Sequence, residues 1–471
     1  MKIKSCLYFL GLSCFPISIL SLINIFYSFY FDYLLNINSY LAVLIISTFL
    51  GIIFYKVGKN EYKKIDIYGE LFLILLIYFF TSCLILIPFY FSGYDISLIN
   101  SYFESISGIT GTGFTTLENI SYLDNPLILW RSSSQWVGGF YFIIFLILIF
   151  SNKQINFKMI DLSFNHEKKI NFSTNVIDVA SRVFFVYLAL SFLIFILFLI
   201  SGIRLFDGLN LSMTIISSGG FLPSDNLGDI IKNNLQSIVL CLSFLIAILN
   251  FYLLYNFTLG RHNLKEHRED IYLIILIIIF TLIFYFINDL SFIVVIINIL
   301  SSIGTSGISI ESVPENFSLY FIILTMIGGS IISTTSGIKF VRIYILIKAF
   351  LIEIYKLVKP NVMLNNKIMF SENKINTDNI KMSFLIFILF FISLFVLSSI
   401  LLIDVLDFEN SFKLAILTLT NTVASNIYGI TDIKFAELFT FTKISLIFFM
   451  VIAKVELLAI LILVRKVFYK N

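Results

Sequence analysis

Charge is scarce in this 471-residue sequence: Asp, Glu, Lys and Arg together make up 13%, against 59% hydrophobic residues. With a mean hydropathy of +0.97, that imbalance excludes a water-soluble fold. Cysteine and histidine are equally thin, at four and three residues. Cys6, Cys14, Cys83 and Cys241 all fall inside apolar stretches with no metal-ligand spacing, so they read as packing or lipid-facing residues. His166, His262 and His267 stand in polar linkers beside Lys and Arg, a solvated setting and not a metal site. A membrane enzyme, such as a lipid-modifying transferase, needs titratable or metal-binding groups gathered at one face, and no such constellation is present. A phosphate-binding loop followed by a soluble α/β unit is missing too.

What the sequence has in abundance is long apolar runs. They lie near 6–29, 40–55, 70–92, 127–151, 178–201, 233–257, 271–288, 317–350, 382–403 and 439–464, which predicts ten spans. The opening, with Lys2 and Lys4 before residues 6–29, superficially matches a signal peptide. Its apolar run exceeds the usual length and no small-residue cleavage pattern closes it, so a retained first helix is the better reading.

Orientation follows from the bases. Lys56, Lys59, Lys63 and Lys64 lie in one linker, Lys153, Lys158, Lys168 and Lys169 in another, then Arg261, Lys265 and Arg268, then Lys356, Lys359, Lys367 and Lys374, and last Arg465, Lys466 and Lys470. These linkers are assigned to the cytoplasm and both termini with them. From Gly93 to Pro126 there is no base, whereas Asp95, Glu104, Glu118 and Asp124 are present. Missing bases record topology, and the remaining acidity would concentrate cations outside.

After the first two spans, each external linker carries a moderately apolar segment of about a dozen residues, too short to cross, that ends in small residues. The clusters read TGTGF (Thr110–Phe114), SSGGF (Ser217–Phe221), GTSGI (Gly304–Ile308) and TVASN (Thr422–Asn426). Gly113, Gly220 and Gly307 lie 107 and then 87 residues apart, each between two full spans. The unit is helix, pore loop, helix, repeated four times.

The predicted fold is therefore an all-α polytopic membrane protein. Two leading helices occupy residues 1–66, and four repeats in a pseudo-fourfold arrangement occupy 67–170, 171–268, 269–375 and 376–471. Irregular backbone at membrane depth survives only where protein buries it or it lines a watery cavity, so the loops must converge. Ringed carbonyls can replace the water shell of an alkali cation, glycine permits the positive φ this requires, and half-helix carboxyl ends favour cations. Glycine clusters also serve plain helix packing, and it is their threefold recurrence that favours a pore.

At SISGITGTGFTT (Ser105–Thr116) and LWRSSSQWVGG (Leu129–Gly139), the chain resembles the TrkH and KtrB superfamily of bacterial potassium uptake subunits. The two extra leading spans favour the TrkH side. The resemblance implies a K+ filter at Thr110, Gly111, Thr112, Gly113, Ser217, Ser218, Gly219, Gly220, Gly304, Thr305, Ser306, Gly307, Asn421, Thr422, Val423 and Ala424. It also implies a homodimer, a cytoplasmic TrkA-type nucleotide-binding partner, a bacterial inner-membrane location and no covalent cofactor. In plant relatives a Ser at the first-loop glycine goes with sodium, so Gly113 points to potassium by similarity; sodium or mixed transport is the alternative.

GGSIISTTSGIK, from Gly328 to Lys339, resembles the family's intramembrane gating loop, with Gly328, Gly329, Ser333, Thr334, Thr335, Ser336 and Gly337 as its working residues. The same stretch makes a poor lipid-facing helix and a reasonable water-lining one; a kinked packing helix is the bland alternative. Lys454 lies in AKVE, where the family has Arg in a GRLE-like motif. From there to Arg465 is roughly 16 Å of helix, too far for the ammonium to reach the surface, so it needs a buried partner or a cavity. Glu456, two residues on, faces elsewhere, which directs Lys454 towards the pore and the acceptors of Ser333–Ser336; an ion pair with another repeat is the alternative.

Three departures from the family stand out. The fourth loop has Ala424, Ser425 and Asn426 where a glycine-rich stretch belongs, and Asn426 is the residue there that best tolerates the left-handed region. The gating loop is poorer in glycine, and Lys at 454 lacks the planar fork of Arg.

Overall fold

The computed structural model describes residues 3–60, 67–151, 176–258, 268–288, 290–311, 313–359, 375, 377–404, 407–430 and 433–455. Glu456, the three histidines and many of the linker bases, among them Lys63, Lys153, Arg261, Lys367 and Arg465, lie outside them.

Among the described residues every regular element is helical. In chain order they are α1 (Ile3–Tyr30), α2 (Ile37–Gly58), α3 (Ile67–Tyr90), α4 (Leu98–Thr110), α5 (Asn125–Ser151), α6 (Val176–Ile200), α7 (Leu205–Ile216) and α8 (Asn234–Ile248). There follow α9 (Phe251–Thr258), α10 (Arg268–Ile287), α11 (Phe292–Ile303), α12 (Ser318–Ile327), α13 (Phe340–Val358), α14 (Thr377–Leu401), α15 (Phe408–Leu419) and α16 (Thr440–Val455). Six helices are long and apolar enough to cross a membrane, or seven if the bent pair α8 and α9 is one span. Lipid-sized exposure of residues such as Phe26, Ile45, Phe185, Phe286 and Phe395 marks their outer faces.

Over the described residues each predicted span coincides with a helix or a helix pair, with one correction; residues 456–464 of the last run lie outside them. The run 233–257, expected as continuous, breaks at Leu249–Asn250 with a bend of 105° between α8 and α9. The run 317–350 is split into α12 and α13 by residues 328–339.

The 12- and 13-residue helices α4, α7, α11 and α15 span only about 18–20 Å at 1.5 Å per residue, short of a hydrocarbon core of about 30 Å. Their inner turns are wholly buried, so each descends into protein. α5 backs two of their loops closely. A Cβ on Gly139 would lie 2.7 Å from the Ser217 Cβ, and one on Gly138 would collide with the Ile109 carbonyl, which accounts for the paired glycines of WVGG. Trp130 Nε1, on the same helix, donates to the Ile85 carbonyl at 3.0 Å and ties α5 to α3.

Candidate functional site

The four short helices end in the same way. Gly111, Ser218, Thr305 and Asn421 all take positive φ (75°, 54°, 53° and 47°), which stops the helix in a left-handed cap. The next amide reaches back five residues in every case: Thr112 to Ser107, Gly219 to Thr214, Ser306 to Ser301 and Thr422 to Leu417, at 2.8–3.0 Å. The capping residue itself donates three back, to Gly108, Ile215, Ser302 and Thr418. Carbonyls that a helix end leaves orphaned are thereby partly satisfied within each loop.

This shared cap fixes the register and corrects three expectations. Glycine occupies the left-handed position only in the first loop; Ser218, Thr305 and Asn421 hold it elsewhere. Two residues further on stand Gly113, Gly220, Gly307 and Val423, so the fourth loop is Thr420–Ala424, two residues before the expected cluster Thr422–Asn426 and one before the expected filter set Asn421–Ala424. Asn426 does not supply the left-handed conformation; it begins a short 3-10 turn, and Asn421 supplies it instead. Of the three glycines at the second position, Gly113 (80°) and Gly307 (70°) have positive φ and Gly220 does not.

The loops converge. A Cβ on Gly113 would lie 2.9 Å from Gly220 Cα, one on Gly220 would lie 3.0 Å from both the Ser306 oxygen and Val423 Cγ1, and one on Gly307 would lie 2.9 Å from the Val423 oxygen. Asn421 Nδ2 donates to Thr112 Oγ1 at 2.9 Å and to the Met450 carbonyl at 3.0 Å, joining the fourth loop to the first and to α16. Hydroxyls pair within loops as well, Thr110 with Thr112 at 2.8 Å and Thr420 with Thr422 at 3.0 Å.

Behind the first loop sits a buried ion pair. Arg131 Nε donates to Glu104 Oε1 at 3.0 Å, the Thr116 amide donates to Glu104 Oε2 at 2.8 Å, and the guanidinium lies 4.1 Å from the Phe221 ring centre of the second loop. Gln135 Oε1 accepts from the Phe221 amide at 3.2 Å. Glu104 is fully buried, so it is not one of the outward acids expected to gather cations. Glu118 instead meets Lys434 at 3.5 Å across the outer surface. Bonds first from Glu437 and then Glu118 hold the Lys434 ammonium above its ordinary range. Asp124 is bonded by Asn36 and Tyr94; its burial raises the carboxyl above the usual range, against those lowering bonds. Removing one partner of a buried pair leaves the other charge uncompensated. Arg131→Met is expected to cost about 3–5 kcal/mol, and Glu104→Gln added to it to recover part of that, read as thermal stability of the purified protein in detergent.

Below the loops, residues 328–339 fold back between α12 and α13. Gly328 and Gly337 both take positive φ (65° and 85°), and the Ile338 amide bonds to the Met326 carbonyl at 3.0 Å, closing the neck. The segment touches the descending loops directly: Ser218 Oγ lies 2.9 Å from Thr334 Oγ1, and the Ser336 amide donates to Thr305 Oγ1 at 3.0 Å. Lys454 completes the contact. Its Nζ donates to the Thr334 carbonyl and to Ser336 Oγ at 3.3 Å, lies 4.4 Å from the Phe142 ring centre, and would be 3.6 Å from a Cβ on Gly111.

Sequence reading missed three residues that hold this segment. Lys339 curls under it and donates to the carbonyls of Ser330, Ser333 and Thr335. Glu269 Oε1 accepts from the Ile331 amide at 2.8 Å, and Asp270 Oδ1 accepts from Ser330 Oγ and, at 2.9 Å, from the Asn250 amide. Asp270 thus pins the break of α8–α9 and the 328–339 segment together. The two irregularities also share backbone bonds: the Ser330 amide to the Ile248 carbonyl at 3.1 Å, and the Phe251 amide to the Ile332 carbonyl at 2.6 Å. Breaks in two separate helices satisfy each other's orphaned groups.

Fold and site together define a multi-pass membrane protein in which four short helices end in loops that touch one another. No family-level sequence model matches the chain. It is 24% identical over 445 residues to an uncharacterized cation transporter of Methanocaldococcus jannaschii, covering 91% of this chain and 92% of that one. It is 26% identical over 300 residues to the Trk system potassium uptake protein TrkH of Escherichia coli; that alignment spans 60% of this chain and 62% of the relative. With TrkG of the same organism the identity is 25% over 398 residues, 80% of each chain. The crystal structure of the potassium transporter TrkH from Vibrio parahaemolyticus shares the fold, with a TM-score of 0.86, 20% identity and full coverage of both chains. The chain is thus similar in sequence to named Trk potassium uptake proteins and to a cation transporter, and shares its fold with TrkH.

Proposed function

We propose that the protein is a potassium-translocating subunit with one pathway down the centre of four pseudo-fourfold repeats. The observation that carries this reading is the fourfold recurrence of one helix-ending cap, at Gly111, Ser218, Thr305 and Asn421, in loops that touch one another. Backbone held at membrane depth in that way has carbonyl oxygens to offer a dehydrated cation, and the names of the TrkH and TrkG relatives supply the ion. The filter consists of the loops at 110–113, 217–220, 304–307 and 420–423. The gate is the 328–339 segment with Lys454: it lies directly under the second and third loops, and its bonds to Lys454 set a positive charge beneath the first.

Homodimeric assembly, a TrkA-type nucleotide-binding partner on the cytoplasmic side and cytoplasmic termini in a bacterial inner membrane complete the proposal. The bases gathered in alternate linkers, from Lys56–Lys64 to Lys356–Lys374, support the orientation. The repeat boundaries 67–170, 171–268, 269–375 and 376–471 agree with the positions of the four short helices, one in each.

Purified protein in liposomes tests the proposal. Under a potassium gradient it is expected to carry potassium current, raised by a regulatory partner. Absence of potassium-dependent flux, with and without that partner, would overturn conduction.

A further inference from the structure

We infer that the 328–339 segment encloses a binding site for a monovalent cation, built from the carbonyls of Ser330, Ser333 and Thr335 and the hydroxyls of Ser333 and Thr335, and that Lys339 fills it with its own ammonium in place of a free ion. The site goes beyond the pathway reading and does not depend on it.

Those three carbonyls and two hydroxyls stand around Lys339 Nζ, four of the five oxygens at 3.3 Å. An ammonium has three protons to give, so five oxygens exceed its hydrogen bonds and form the shell of a coordinated ion. All come from one stretch, Ser330–Thr335, so the segment encloses the site by itself. Neutral oxygens at this range suit a large monovalent ion such as potassium, rubidium or ammonium. Magnesium and calcium need oxygens at about 2.0–2.6 Å, usually with carboxylates among them. The balancing charge stands just outside the shell, where Glu269 accepts from the Ile331 amide and Asp270 from Ser330 Oγ.

Lys339 is held in place against its own backbone. Its φ of 78° with ψ of 132° is a conformation that residues other than glycine rarely take, and such strain persists only where the surroundings over-determine it. Buried to 2% exposure, the side chain has the five oxygens to do so. Successive carbonyls divide between two lysines: Ser333 and Thr335 face Lys339, and Thr334 faces Lys454. The two ammonium groups lie 5.5 and 4.4 Å from the Phe142 ring centre. The segment thus carries its ion with it, and its fold is independent of the surrounding potassium concentration.

The experiment empties the shell. Lys339→Gly relieves the positive φ and removes the ammonium, whereas Lys339→Met keeps an uncharged chain of similar length in its place. Both are compared with wild type as the purified full chain in detergent, by melting temperature in potassium, rubidium or ammonium chloride against choline chloride at equal ionic strength. Potassium bound at the four loops is common to all three proteins, and the wild type measures that part. Lys339→Gly is expected to gain about 3 °C or more beyond the wild-type shift, saturating with potassium, and Lys339→Met to gain no more than wild type. No extra shift in folded Lys339→Gly would overturn the site. An equal extra shift in Lys339→Met would overturn it too, because the ion would be binding elsewhere. Should Lys339→Gly be unrecoverable in choline, folding in potassium supports the site and failure in both salts overturns it.

Discussion

Lys454→Ala is expected to raise basal cation flux about ten- to a hundredfold while the potassium-to-sodium ratio stays near the wild-type value. The size follows from Coulomb's law. A monovalent cation passing at about 4 Å from the ammonium meets about 4 kcal/mol of repulsion at an effective dielectric of 20, and each 1.4 kcal/mol is tenfold in rate. Local dipoles that accept from the ammonium, the Thr334 carbonyl and Ser336 Oγ, reduce that barrier in part. The variant also deletes both bonds, which loosens the 328–339 segment beneath the loops. Selectivity is preserved because the bonds that form the caps run between backbone groups and take nothing from the Lys454 side chain. Lys454→Arg keeps the charge and should keep the low flux. Flux unchanged in a monodisperse alanine variant removes Lys454 from the barrier.

Asp270→Ala should produce a larger leak by a different route. Asp270 Oδ1 holds Ser330 on one side and the Asn250 amide on the other, fastening the segment to the α8–α9 break. Hydrogen bonds to charged groups contribute about 1.5–3 kcal/mol each, so losing two shifts the closed population by about 3–6 kcal/mol, or roughly 10²- to 10⁴-fold. Asp270→Asn retains an acceptor oxygen and is expected to fall between. Flux in liposomes, alongside the melting temperature in detergent, separates release of the segment from unfolding. A stable alanine variant with wild-type flux would show that the anchor does not govern closure.

Much of the helical order was legible because lipid imposes it: runs of about twenty apolar residues have no other stable form in a bilayer, and segments too short to cross have to turn back. The interruption at Gly328–Lys339 was legible for the complementary reason, since SIISTTSG offers hydroxyls that lipid cannot satisfy. The break at Leu249–Asn250 was not. LIAILNFYLL is apolar apart from Asn250, and the bend exists only because the 328–339 segment, some eighty residues on, supplies the missing partners. Glu269 and Asp270 read as ordinary flanking charges next to Arg268; only the fold turns them inward. The loops misled in a subtler way. Glycine marks a positive φ at Gly111, Gly113 and Gly307, but Ser218, Thr305 and Asn421 hold the left-handed cap of the other loops, and Gly220 answers a demand for space alone.

The shared hydrogen bonds between the α8–α9 break and the 328–339 segment tie mechanics to hydration. If the segment withdraws, the carbonyls of Ala247 and Ile248 and the amide of Phe251 lose the partners they now have in Ser330, Ile332 and Thr334. Nothing apolar can replace those partners, so water has to arrive as the segment leaves. Opening and wetting are then a single event, and osmotic stress that withdraws water from the pathway should hold it shut.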